Sequence, residues 1–183
     1  MRGKSHRCLG RYLAKHYMTG ASKASIAAFQ IGCIEPDRNP ITYLKGSLRF
    51  QWLRGHNYRN ARRFMRRISW RLEHQDKLSL YDDSTLGKLI HYTTDAFTYA
   101  HNSHFPTQLN EHKEYEDALQ EHFLEYMAQD PQVDTMVARS IMGAICSYHR
   151  DYEQEESNIH NDSRFALAAC CCVLAVLFTR PIL

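Results

Sequence analysis

The sequence predicts an all-α fold, a single-domain multi-helix bundle, on three observations. Apolar residues recur at helical spacing in at least five stretches, residues that start or stop helices fall between those stretches, and the last stretch is a continuous apolar run. No repeat, low-complexity tract or linker divides the 183 residues, a length that suits one domain with a substantial core (residues 1–183) and is short for two.

Ser5 is placed to cap a first helix from His6 to about Tyr17, with Leu9, Leu13 and Tyr17 as its stripe and Gly20 as its stop. Ser22–Gln30 reads as a short alanine-rich helix. Gly32–Pro40 (GCIEPDRNP) reads as a loop, because its glycine and two prolines oppose continued helix. Ile41–Arg54 is open between extended and irregular structure. Asn57–Gln75 forms a helix with Ala61, Phe64, Met65, Ile68 and Leu72 on one face and Arg62, Arg63, Arg66, Arg67 and Arg71 on the rest. Asp82 or Asp83 caps the next helix, whose stripe is Leu86, Leu89, Ile90, Thr93, Thr94 and Phe97. Leu109, His112, Tyr115, Glu116, Leu119 and Phe123 mark another. Asp130–Pro131 reads as the cap and first residue of a helix with the stripe Val133, Met136, Val137, Ile141, Ala144, Ile145 and Tyr148. Ala166–Phe178 has no charge and is shorter than the roughly 20 residues of a bilayer span, so it is expected to be the last core helix, with a membrane anchor as the alternative. That makes roughly seven helices and no transmembrane segment.

Composition narrows function little. Hydrophobic residues make up 44% and charged residues 23%, as in an ordinary globular protein, and a net charge of +3 does not by itself argue for nucleic acid or membrane. The arginine-rich helix face has the usual meaning of a solvated surface, so no nucleic-acid partner is expected; attraction of an anionic phosphodiester is the functional alternative. The N-terminal stretch has no apolar signal region, and the six cysteines show no CxxC spacing, so reduced core thiols and a cytoplasmic location are expected. The 11 histidines are the compositional oddity.

Five candidate metal ligands, three histidines and two carboxylates, fall within Gly87–Glu116 at regular spacing. His91 and Asp95 are four apart, His101 follows Asp95 by six, and His112 and Glu116 are again four apart. A four-residue step puts both side chains on one helix face. His101 lies between the two helices in AHNSHFP, where Asn102, Ser103 and Pro106 mark a loop. One such pair is commonplace, but two pairs and a linking histidine in helical register form a candidate metal site. Imidazole nitrogen with carboxylate oxygen is the donor set of catalytic zinc.

HYTTDAFTYAH followed by HKEYE resembles the motif of the zinc-dependent phospholipase C family, HxxxD, then histidine six residues on, then HxxxE. Single-strand-specific zinc nucleases are similar and end in HxxxD, so Glu116 fits the phospholipase branch. The resemblance implies an all-helical fold of the phospholipase C and zinc nuclease type. It also implies two to three Zn2+ ions and hydrolysis of a phosphodiester by metal-bound water. One ion would be held by Asp37, His56, His91 and Asp95, a second by His101, His112 and Glu116, and a third by His6 with Asp95 as a bridge. Asp37 would double as the catalytic general base. His16 competes with His6, and Glu35 with Asp37. The substrate implied is a phosphate ester, with phospholipid as one candidate.

Two departures qualify the match. Secreted members complete the third site with the α-amino group of a tryptophan, whereas here Met1 stands five residues before His6, a spacing that brings its amine within reach of the same ion. None of the 183 residues is expected to form the lipid-docking β-sandwich of toxin-like members. Alternatives are a nuclease or phosphomonoesterase on the same scaffold, a non-catalytic metal binder, and a di-iron helical bundle, although the Glu-x-x-His spacing of the last is missing. An HD-type phosphohydrolase is disfavoured by the lack of a His-Asp dipeptide.

Overall fold

In the computed structural model, residues 1–39, 58–102 and 109–179 are described, and they form seven α-helices and one 3-10 turn with no strand among them. The helices are α1 (Gly3–Tyr17), α2 (Lys23–Arg38), α3 (Tyr58–Glu73), α4 (Leu80–Ala96), α5 (Leu109–Ala128), α6 (Ile141–Tyr152) and α7 (Ile159–Phe178), with the turn Tyr99–His101 between α4 and α5.

Helix α4 is the centre of the bundle, in contact with α1, α2, α3 and α7. From Asp82 to Ala96 only Ser84 and Lys88 are not buried, so the helix is enclosed on nearly every side. Its start is set by Ser79, whose side chain accepts from the Asp82 N–H while the Asp82 carboxylate accepts from the Ser79 N–H. Asp82 therefore completes a capping box from within the first turn instead of capping the helix itself. Helix α7 is long and apolar enough to cross a membrane by length and composition; most of that window is buried inside the bundle, including Cys170, Cys171 and Cys172. All six cysteines are free thiols.

Three expectations are corrected. Helix α1 begins at Gly3, not after Ser5, because the Ser5 and His6 N–H groups both bond the Arg2 carbonyl and extend the helix toward residue 1. Met18, not Gly20, closes it. Helix α2 does not stop at Gln30 but runs to Arg38 with Pro36 inside it, so Asp37 sits on a helical turn and not in a loop. An interior proline costs about 3 kcal/mol or more through a lost hydrogen bond and a clash with the carbonyl four residues back. Helix α2 is nevertheless held in shape by its long contact with α4, the most extensive helix pair in the fold. Asp130–Pro131 starts no helix. Asp130 has φ 49°, the left-handed region, whereas a capping residue at a helix start is extended. Its carboxylate is held by Lys15 (2.8 Å) and His16 (3.1 Å). Residues 131–138 have no regular structure, Val137 is fully exposed, and α6 starts at Ile141 with Ser140 as its cap. Ile41–Arg54 lies outside the described residues.

The α2–α4 contact rests on two glycines. A Cβ on Gly87 would overlap the Phe29 carbonyl oxygen and lie 2.7 Å from the Cys33 nitrogen and 2.8 Å from the Gly32 Cα. The two backbones touch there, which only a missing Cβ permits. Gly87→Ala is expected to destabilise the protein by about 3 kcal/mol in urea unfolding, because rigid backbone must move apart. Gly20→Ala, where nothing lies within 4 Å of the added Cβ, should stay within about 0.5 kcal/mol of the parent.

Candidate metal centre

The glycine contact delivers the first part of the centre. One turn beyond Gly87, the His91 Nδ1–H donates to the Cys33 carbonyl oxygen of α2 at 2.9 Å. That bond holds the ring with Nε2 turned toward carboxylates, the orientation a metal-binding histidine needs. His91 Nε2 lies 3.3 Å from Asp95 Oδ2 and 3.5 Å from Asp37 Oδ1 at the end of α2. His6 of α1 stacks on His91 with ring centroids 3.9 Å apart and puts its Nε2 3.3 Å from Asp95 Oδ1. His6, His91 and Asp95 are all buried. The His6 Nδ1 is buried with no hydrogen-bond partner among the described residues.

A second group adjoins the first. His101 Nε2 is 3.1 Å from Glu116 Oε1, and His112 Nε2 is 3.7 Å from Glu116 Oε2, one turn along α5. The nitrogen of residue 1 joins the groups, at 2.9 Å from Asp95 Oδ1, 3.0 Å from His101 Nε2 and 3.2 Å from Glu116 Oε1. The Met1 carbonyl oxygen is 3.1 Å from His6 Nε2. Within each of the sets His6–His91–Asp95 and His101–His112–Glu116, the donor atoms lie within 4.8 Å of one another.

These distances suit zinc. Donors bound at about 2.0–2.2 Å in a tetrahedron stand about 3.3–3.6 Å apart along its edges. The separations of 3.3, 3.3 and 3.5 Å around Asp95 and His91 match that edge and exceed the usual 2.7–3.2 Å of a good hydrogen bond. The donors are nitrogen and oxygen only, with no thiolate, which suits a catalytic more than a structural zinc site.

The charges complement one another. Burial would raise the Asp95 carboxyl, but the residue 1 amine, His101, His91 and His6 outweigh it and hold Asp95 well below the carboxylate range. Burial and then neighbouring His91 push His6 down to about 4, so at neutral pH its ring is uncharged and carries a free lone pair. His91 is raised instead, because Asp95 and Asp37 outweigh its burial. His101 is lowered by burial and by the residue 1 amine. Glu116 is depressed against its burial by hydrogen bonds from His101 and His112. A fully ionised carboxylate beside a neutral imidazole is the state that a divalent cation binds.

Seven of the eight proposed ligands, His6, Asp37, His91, Asp95, His101, His112 and Glu116, are thus brought to these adjoining groups. His56 lies outside the described residues. The competitor His16 lies away from the centre against Asp130, and Glu35 is paired with Lys88 at 3.2 Å. Sequence reasoning missed the Cys33 carbonyl, a backbone group with no residue-type signal. It also missed Asp162, whose buried carboxylate accepts from Tyr99, Tyr115 and Tyr152; the signal was an acidic residue four positions before the apolar run of the last helix.

Among the described residues, the all-helical bundle brings histidine and carboxylate side chains into two groups, one buried and one half-buried, each of which could hold a metal ion. The sequence pattern of the family described as zinc dependent phospholipase C matches residues 5–172, and the chain belongs to that family. At family level it is a zinc-dependent hydrolase. No curated protein and no solved structure matches it significantly.

His91→Ala is expected to remove one zinc ion per chain and leave that of the second group, and Glu116→Ala the converse. Elemental analysis after gel filtration, with circular dichroism to check the fold, reads both; two unchanged stoichiometries would contradict the assignment.

Proposed function

We propose that the protein is a phospholipase C-like phosphodiesterase, a phosphoric ester hydrolase whose zinc ions are held by His6, Asp37, His56, His91, Asp95, His101, His112 and Glu116. The observation that carries this is the Asp95 carboxylate: buried, held well below the usual carboxylate range by its neighbours and faced by nitrogens from three parts of the chain, it would hold a divalent cation together with them. Zinc bound there would supply Lewis-acid chemistry, offsetting charge on a phosphoryl group and lowering the pKa of water toward 7 from about 15.7.

The chain's own residues then divide the remaining work. Asp37 is a quarter exposed, unlike Asp95, so it meets solvent while staying beside His91. It is the general base, accepting the proton from the attacking water at a carboxylate oxygen. His91 is kept from turning by the Cys33 carbonyl and by the stacked His6 ring. The residue 1 nitrogen, where it is a free amine, is a further donor beside Asp95, the role that the resemblance to secreted members implies for it. The substrate is a phosphate ester, with phospholipid the first candidate. Glu116 in place of a second HxxxD favours it over single-stranded nucleic acid.

Asp37→Asn should lower phosphodiester turnover by about a hundred-fold or more while leaving helical content intact. Turnover should vanish on chelation and return with Zn2+. Parallel assays with a lysophospholipid, a phosphodiester dye and single-stranded DNA identify the substrate; full activity in Asp37→Asn would remove its role as base. Residues added before Met1 convert its amine to an amide and should reduce zinc per chain; unchanged stoichiometry and rate would remove that nitrogen from the donor set.

A further inference from the structure

Asp162 lies in the first turn of α7, fully buried. Its Oδ2 accepts from the Tyr99 backbone N–H at 2.8 Å and from the Tyr115 hydroxyl at 2.8 Å, and its Oδ1 accepts from the Tyr152 hydroxyl at 2.6 Å. Those donors belong to three separate elements. Tyr99 opens the 3-10 turn that ends in His101, Tyr115 directly precedes Glu116 on α5, and Tyr152 ends α6.

One carboxylate oxygen therefore holds both segments that supply the second donor group. The turn carrying His101 has further ties, from the Asn102 side-chain amide to the Ala96 and Thr98 carbonyls. Those ties fix the turn to the end of α4; Asp162 fixes it relative to α5. The ring of Tyr99 packs edge-on against that of Tyr115 at 5.6 Å, which closes the same junction.

Stability alone does not explain a carboxylate here. Burial pushes the Asp162 carboxyl up to about 6 in spite of the donors, so its ionised form at neutral pH opposes folding. A buried charge can often be replaced by apolar side chains without loss of stability. What an apolar residue cannot do is gather a backbone N–H and a hydroxyl from two segments onto one atom.

We propose that Asp162 is the positioning residue of the His101–His112–Glu116 group, setting the separation of His101 from Glu116 and thereby that group's affinity for its zinc ion. This rests on the metal reading above, and the following experiment separates the two. Zinc affinities of the full zinc-loaded chain are measured by chelator competition, together with the visible absorption of its Co2+-substituted form. Asp162→Asn and Tyr115→Phe should each weaken one ion about 10–100-fold and leave the rest unchanged, the usual effect of removing a group that orients a ligand. The Co2+ band of that ion should shift. Tyr152→Phe removes only a hydroxyl given to Asp162 from α6, which supplies no ligand, and keeps the ring against Phe97; it should lower the melting temperature but keep every zinc affinity within about two-fold. If all three variants lose thermal stability while zinc affinity and the Co2+ spectrum stay as in the parent, Asp162 is only a structural hub and the proposal is overturned. Tyr115→Phe carries the test alone should Asp162→Asn not fold. A parent chain that binds no zinc overturns the metal reading, and this proposal with it.

Discussion

A carboxylate removed entirely from water must be balanced by cations or donors, and Asp95 is the point at which this chain meets that demand. Its two oxygens face the residue 1 nitrogen, His6 and His91, and the same nitrogen leads on to His101 and Glu116. Charge balance at one buried atom pair thus draws together α1, α4, the 3-10 turn and α5. The helices are arranged around that requirement at least as much as around their apolar stripes.

The requirement is met because two helix backbones touch. With glycine at both Gly32 and Gly87, α2 lies close enough to α4 for the Cys33 carbonyl to accept a hydrogen bond from the His91 ring and for Asp37 to reach the same ring. Helix α2 must continue through Pro36 for this to happen, since a chain that turned away at Gly32 would carry Asp37 elsewhere. Packing against α4 compensates an unfavourable proline, and the result is a carboxylate on a fixed helical turn instead of a mobile loop.

Much of the centre was legible in the sequence because its signals are local. The four-residue steps from His91 to Asp95 and from His112 to Glu116 are helix geometry, and the five-residue step from Met1 to His6 suffices to bring residue 1 back over one helical turn. The misread parts depend on contacts distant in sequence. Pro36 breaks helices on local rules and was overruled by α4; Asp130–Pro131 imitates a helix start, but Lys15 and His16 of α1 hold the aspartate where α5 ends. Asp162 gave no local signal of its role, because its three tyrosine partners lie 10, 47 and 63 residues away. The family match over residues 5–172 agrees with the local motif but says nothing of these tertiary devices.

The most direct test of the account is anomalous X-ray scattering from crystals of the zinc-loaded protein, recorded at the zinc absorption edge. The account predicts peaks about 2.0–2.2 Å from the Asp95 carboxylate and from the nitrogens of His6 or His91, with another among His101, His112 and Glu116. A map with no peak beside Asp95, or with zinc only on surface histidines such as His74 and His160, would contradict it.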